Sequence, residues 1–230
     1  MNDFTLFNLP HIIVLILTVV FSFAFAYTAR KFPSTEKPIS WTLIIIIILT
    51  TSAFITDKYV NGYLSIKGNL PMQLCDWVII LVIITFITRS QYSYETAYFW
   101  AMGGTLQALI TPDITVNFPS PGFIIFFANH ASIIISIIYF TFAFRLRPYP
   151  VSIKRTFIWT QVYFISALLI NIVLGANYGF IMYKPEQGSI LNFMGPWPYY
   201  LISLEILALI SFFIYYLPFY INDKLSKSTK

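Results

Sequence analysis

Two side chains have the types needed for nucleophilic acyl chemistry: Cys75, the single cysteine, and His130, the one of two histidines that lies inside an apolar segment. A thiol becomes a strong nucleophile as thiolate, and a neighbouring imidazole can take its proton or hold it as an ion pair. Amide groups, such as those of Gln73, Gln107, Asn129 and Asn177, can donate to the oxyanion of an acyl intermediate. Asp76 or Glu205 can orient the imidazole, as the third member of a triad does.

The segments that must position these groups are membrane helices. Hydrophobic residues make up 58% of the 230-residue chain and charged residues 10%, and the mean hydropathy is +0.75, beyond what a soluble domain carries. A transmembrane helix needs about 20 mostly apolar residues. Seven such stretches are present, at residues 9–27, 41–60, 70–88, 94–110, 123–144, 156–175 and 199–221. The expected fold is therefore all-α: one seven-helix transmembrane domain over residues 1–230, with a short basic tail at 222–230. A β-barrel would alternate apolar and polar residues, and residues 44–49 and 133–138 run apolar without alternation. The N-terminus has no basic start or small-residue cleavage site of a secretory signal, so the first span is expected to stay in the mature protein.

Basic residues fall on alternate loops. Of 14 lysines and arginines, 11 share one side and only Lys58, Lys67 and Lys184 lie opposite. The positive-inside rule then predicts an external N-terminus and a cytoplasmic C-terminus. The net charge of +5 is read as topology, and no nucleic-acid face is expected. At about 1.5 Å rise per residue, Cys75 lies about 7 Å and His130 about 10 Å from the outer ends of their spans. Glu205, Gln73, Asp76 and Asn129 fall at a similar depth, and Gln107, Asn171 and Asn177 lie towards the outer ends of theirs. A shared polar layer drawn from five helices marks a site, because ionisable groups at bilayer depth are costly unless they function.

Each group also has an ordinary structural role. A lone membrane cysteine commonly packs as a small apolar residue, and a histidine commonly hydrogen-bonds across helices. His11 reads as interfacial, and Asp57 with Lys58 as a snorkelling pair. One Cys, one His and two or three carboxylates are a poor set for a closed zinc site, so no metal or other cofactor is expected. The last span has no lysine for a Schiff base. Gly103-Gly104 permits close helix contact. The longest loop, residues 178–198, is rich in proline and aromatics, including Trp197, and suits a lid or a platform for lipid headgroups.

The ordered motifs Leu70-Pro71-Met72-Gln73-Leu74-Cys75-Asp76, Trp100-Ala101-Met102-Gly103-Gly104-Thr105 followed by Thr111-Pro112-Asp113, Asn129-His130, Asn177-Tyr178-Gly179-Phe180 with Lys184-Pro185, and Gly195-Pro196-Trp197-Pro198 resemble the YwaF-type bacterial membrane proteins across nearly the whole chain. That family is similar to a eukaryotic seven-span acyltransferase that builds polyunsaturated ether phospholipids. The resemblance implies Cys75 as nucleophile and His130 as base. Many bacterial relatives carry histidine where this chain has Gln73, so no second imidazole is implied here.

An outer-leaflet Cys–His site has no direct access to cytoplasmic acyl-CoA, so the expected acyl donor is a phospholipid. A lysophospholipid, or another hydroxyl or amine, is the expected acceptor, and with water as acceptor the same site is a lipase. The expected location is a cell membrane, that of a bacterial cytoplasm by resemblance, and the sequence sets no oligomeric state. The alternative expectation is a small transporter or ion- or solute-binding protein with its polar pocket around Asp76 and Glu205. It needs a second polar layer towards the cytoplasm, for which Thr156, Gln161 and Ser166 are the available groups, with no charged residue well inside the span.

Overall fold

The computed structural model describes residues 3–184 and 190–228, and Pro185 of the Lys184-Pro185 motif lies outside them. The described chain is helical apart from connecting loops and one isolated antiparallel bridge, Asp3 with Val116. Helix α1 (Leu9–Lys31) starts where the Asn8 side chain accepts from the His11 N–H at 3.0 Å and ends two residues before Pro33, which cannot continue it. Then follow α2 (Glu36–Val60), α3 (Leu74–Thr88), α4 (Gln91–Trp100), a π-helical turn (Ala101–Thr105) and α5 (Leu106–Ile110). Helices α6 (Pro121–Phe142) and α7 (Pro150–Leu174) each begin at a proline, whose fixed φ suits the first helical position. Gly175 closes α7 in the left-handed region at φ 61°. The last helix, α8 (Tyr199–Ser228), runs through Pro218, and residues 222–228 of the basic tail are its final turns.

Backbone dihedrals stay in the right-handed helical region across both junctions of the π turn, so α4, the turn and α5 form one rod, residues 91–110. Five helices, α1, α2, α6, α7 and α8, are long and apolar enough to cross a membrane. The shorter α3 is also apolar, and the 91–110 rod overlaps the stretch expected at residues 94–110. Several such helices in one chain make this a multi-pass membrane protein.

Centre and periphery are distinct. In α6, 56% of the most apolar window is buried, against 17–22% in the other four long helices, and every residue from Ser93 to Trp100 is buried. The rod and α6 therefore form the middle, while α1, α2, α7 and α8 turn Ile, Leu, Val and Phe outward, as helices facing hydrocarbon do. The ion pairs among described residues, Arg89–Glu36, Arg147–Asp223 and Arg155–Glu95, gather at one end of the bundle.

That end also holds a buried charge. Glu95, with 1% of its surface exposed, is a charged residue inside the helix packing, held by Arg155 Nη1 at 3.3 Å and by Gln91 Nε2 at 3.0 Å. A buried carboxylate persists only when paired and hydrogen-bonded in this way. His11, near the start of α1, is fully buried among Phe4, Phe7 and Phe127. No salt bridge joins Asp57 to Lys58; Asp57 accepts from Asn61 Nδ2 at 3.1 Å and Lys58 lies over the Phe54 ring.

Candidate functional site

Cys75 lies in the first turn of α3, not deep within a longer span. Pro71 keeps residues 70–73 out of the helix, and the Asp76 carboxylate accepts from the Gln73 N–H at 2.9 Å to cap its start. A helix N-terminus carries unsatisfied N–H groups and partial positive charge. The buried Thr105 hydroxyl, at the end of the π turn, donates to Cys75 Sγ at 3.9 Å. The π turn makes that approach possible. A Cβ on Gly104 would stand 3.1 Å from Leu74 Cδ2, so the first turn of α3 rests against bare backbone there, whereas Gly103 faces open space. Of the two glycines only Gly104 serves close packing.

Beneath Cys75, Trp77 packs edge-on against Tyr163 with ring centres 5.4 Å apart, and both rings meet Trp100. The Tyr163 hydroxyl donates to the Met72 carbonyl at 3.2 Å. Neither Thr105 nor Tyr163 stands out in the sequence, because each reaches the start of α3 from another helix.

His130 lies on α6. Its Nδ1 is 2.9 Å from the Phe126 carbonyl, and the imidazole stacks on the Phe126 ring at 4.1 Å. A carbonyl can only accept, so Nδ1 carries the proton and the neutral ring presents the Nε2 lone pair. His11 has the opposite tautomer, since Nε2 donates to the Leu109 carbonyl at 2.8 Å and Nδ1 accepts from the Phe7 N–H at 3.1 Å. Both nitrogens of His11 are thereby used structurally.

Helices α3 and α6 run in the same sense. Both start beside the C-terminal half of the 91–110 rod, α3 at Gly104 and Thr105 and α6 through Phe127 and His11 at Leu109. Their far ends meet where the Phe86 and Phe140 rings lie 4.4 Å apart. Counted back from that contact, Cys75 is about 16 Å and His130 about 15 Å along its helix. The two side chains share a level, but no hydrogen bond joins them: the thiol takes Thr105, and the imidazole takes Phe126.

The other expected site residues divide. Gln73 Oε1 accepts from the Gly179 N–H at 3.1 Å, tying the segment before α3 to the loop after α7. Asn177 holds that loop internally, accepting from the N–H groups of Met182 and Tyr183 and donating to the Tyr183 carbonyl. Trp197 is exposed and donates to the Ile181 carbonyl at 3.2 Å, while the Tyr200 hydroxyl donates to Phe180. The Tyr178 hydroxyl accepts from the Leu70 N–H at 2.9 Å and donates to the Ile66 carbonyl at 2.7 Å. Residues 177–183 are thus strapped to the segment that precedes α3.

Asn129 turns towards α2 and donates to Thr50 and Thr51 at 3.1 and 3.0 Å. Gln107 is exposed and reaches only Thr111, because it lies on the face of the rod opposite buried Thr105 and Leu109. Glu205 accepts from Gln161 Nε2 at 2.7 Å, next to Thr160, whose hydroxyl accepts from Trp100 Nε1 at 2.9 Å. That places Glu205 at the level of the tryptophan pair. Among the described residues no group of three or more His, Cys, Asp or Glu side chains is arranged to hold a metal ion.

The chemistry available is that of a thiol at a helix N-terminus, a supporting hydroxyl, and an imidazole on the same level with a lone pair to accept a proton. The profile of the TMEM164 family matches residues 6–216. An uncharacterised protein of Treponema pallidum (strain Nichols) is 25% identical over 219 residues, which cover 94% of this chain and 90% of that protein. No solved structure matches the chain.

Proposed function

The chain belongs to the TMEM164 family, and we propose that it is a membrane lipid acyltransferase, or transacylase, that carries the acyl chain on Cys75. Within the family its motifs align it with the YwaF-type bacterial branch, in a seven-span arrangement with an external N-terminus. Cys75 Sγ attacks the ester carbonyl of a phospholipid while His130 Nε2 takes the thiol proton. The tetrahedral intermediate collapses, the ester C–O bond breaks, and His130 returns the proton to the departing lysophospholipid oxygen. An acceptor hydroxyl or amine then attacks the thioester. His130 takes its proton, the C–S bond breaks, and the proton passes to the leaving thiolate.

The observation that carries this reading is the His130 tautomer. With Nδ1–H committed to Phe126, the lone pair is on Nε2, on the level of a thiol that Thr105 and the start of α3 support. Substrate reaches Cys75 when residues 177–183 lift away from Gln73, so the loop serves as the lid. Asp76 and Asn129 support the site through the helix start and the α2 contact. Lipid profiles of cells carrying Cys75→Ala should differ from wild type at equal expression, and matching profiles would overturn the proposal.

A second reading, a small transporter or an ion- or solute-binding protein with its pocket around Asp76 and Glu205, is favoured by one set of contacts. Gln161–Glu205 and Trp100–Thr160 form one polar level along α7, and the buried Glu95–Arg155 pair forms a second. Uptake into vesicles that survives Cys75→Ser and vanishes with Glu205→Gln would establish it in place of acyl transfer.

A further inference from the structure

A groove of about 590 Å³ opens between α7 and α8, lined chiefly by Ile153, Phe157, Leu209, Phe213 and Leu217. Its mouth is cationic. Lys154 lines it and is exposed, Pro150 brings the first turn of α7 to it, and the Lys224 ammonium is 5.2 Å from the centre of Tyr220, another lining residue. The carboxylates nearby are engaged: Asp223 takes Arg147 Nη1 and Nη2 at 2.6 Å, and Glu95 takes Arg155. Neither Lys154 nor Lys224 is in a salt bridge among the described residues. Two ammonium groups and a helix N-terminus over an apolar channel match a phosphodiester joined to an acyl chain.

We propose that the α7–α8 groove binds one anionic phospholipid, its acyl chain along Phe157, Leu209 and Phe213 and its phosphate between Lys154, Lys224 and the first turn of α7. This is a separate site from the one at Cys75. Arg155 places the start of α7 at the Glu95 end of the 91–110 rod, whereas Cys75 meets Thr105, about 15 Å further along. The lipid sits at the end of the bundle where the ion pairs gather and clasps α8 to α7.

The test is native mass spectrometry of the purified full chain, delipidated and then offered dioleoyl phosphatidylglycerol or dioleoyl phosphatidylcholine. Wild type should retain one phosphatidylglycerol in preference to phosphatidylcholine. Lys154→Gln and Lys224→Gln, both at exposed positions, should each weaken retention about fivefold, as removal of one interfacial cation does. Leu209→Trp, which fills the channel, should abolish it, and Cys75→Ala should leave it unchanged. Equal retention of the two lipids by wild type, or undiminished retention by both lysine variants, would overturn the proposal. Loss of the lipid on Cys75→Ala would overturn the separateness of the two sites.

Discussion

Thr105 Oγ1 donates to Cys75 Sγ across 3.9 Å, from the last residue of a π turn to the first turn of a neighbouring helix. Isolated π turns displace the residues that follow them and recur at functional sites. Here the turn delivers a hydroxyl to the one thiol of the chain. Thr105→Val, close in volume, should slow alkylation of Cys75 at fixed pH about tenfold, towards the low end of what a hydrogen bond to an anion contributes. Thr105→Ser should restore the rate. Equal rates for all three proteins would mean that the contact does nothing to the thiol.

Adjacent glycines in that turn should respond oppositely. An added methyl at Gly104 would press on Leu74 at 3.1 Å and shift the helix start that carries Cys75, so Gly104→Ala should lower both alkylation rate and thermal stability. The methyl at Gly103 meets nothing, and Gly103→Ala should be neutral or stabilising by up to about 1 kcal/mol. Thermal melting in detergent, read beside the alkylation rate, separates the two.

Opposite tautomers give the two histidines separable roles. His11→Ala would leave the Leu109 carbonyl and the Phe7 N–H without partners inside an aromatic cluster, at a cost of about 3 kcal/mol. It should lower the melting temperature while leaving the folded fraction able to transfer acyl groups. His130→Ala loses one bond and one ring stack within its own helix and should cost less stability than His11→Ala while transfer is lost. Activity normalised to folded protein reads the difference.

Breaking the buried pair on the 91–110 rod should be severe. Glu95→Ala would leave Arg155 without its carboxylate and Gln91 with only the Arg147 carbonyl, for a loss of about 3 kcal/mol, the lower end for buried pairs because 38% of the Arg155 side chain is exposed. Glu95→Gln keeps a hydrogen-bonding group and should melt between Glu95→Ala and wild type. Melting temperatures in that order support the assignment, and equal values for all three contradict it.

Apolar stretches and a common level for Cys75 and His130 follow from counting along the sequence, because hydropathy and helical rise set depth. Direction around each helix is another matter. In a membrane bundle the lipid-facing and packed surfaces are both apolar, so the pattern that orients a soluble helix is missing. Gln107 shows the consequence: at the right depth, it points away from the packed face on which Thr105 and Leu109 lie. Local backbone signals were also legible in principle. Pro71 and the Gln73–Asp76 spacing mark a helix start immediately before Cys75, which counting from Leu70 overlooks. The Glu95–Arg155 pair is not legible in the sequence, because the two residues come from distant stretches of the chain.

The most direct test of the covalent step is the intact mass of the purified protein after incubation with phospholipid, with and without hydroxylamine, for wild type, Cys75→Ala and His130→Ala. The account predicts a hydroxylamine-labile acyl adduct on wild type, its absence in Cys75→Ala and its reduction in His130→Ala. An adduct that persists in Cys75→Ala, or no adduct on folded, lipid-bound wild type under single-turnover conditions without acceptor, would contradict it.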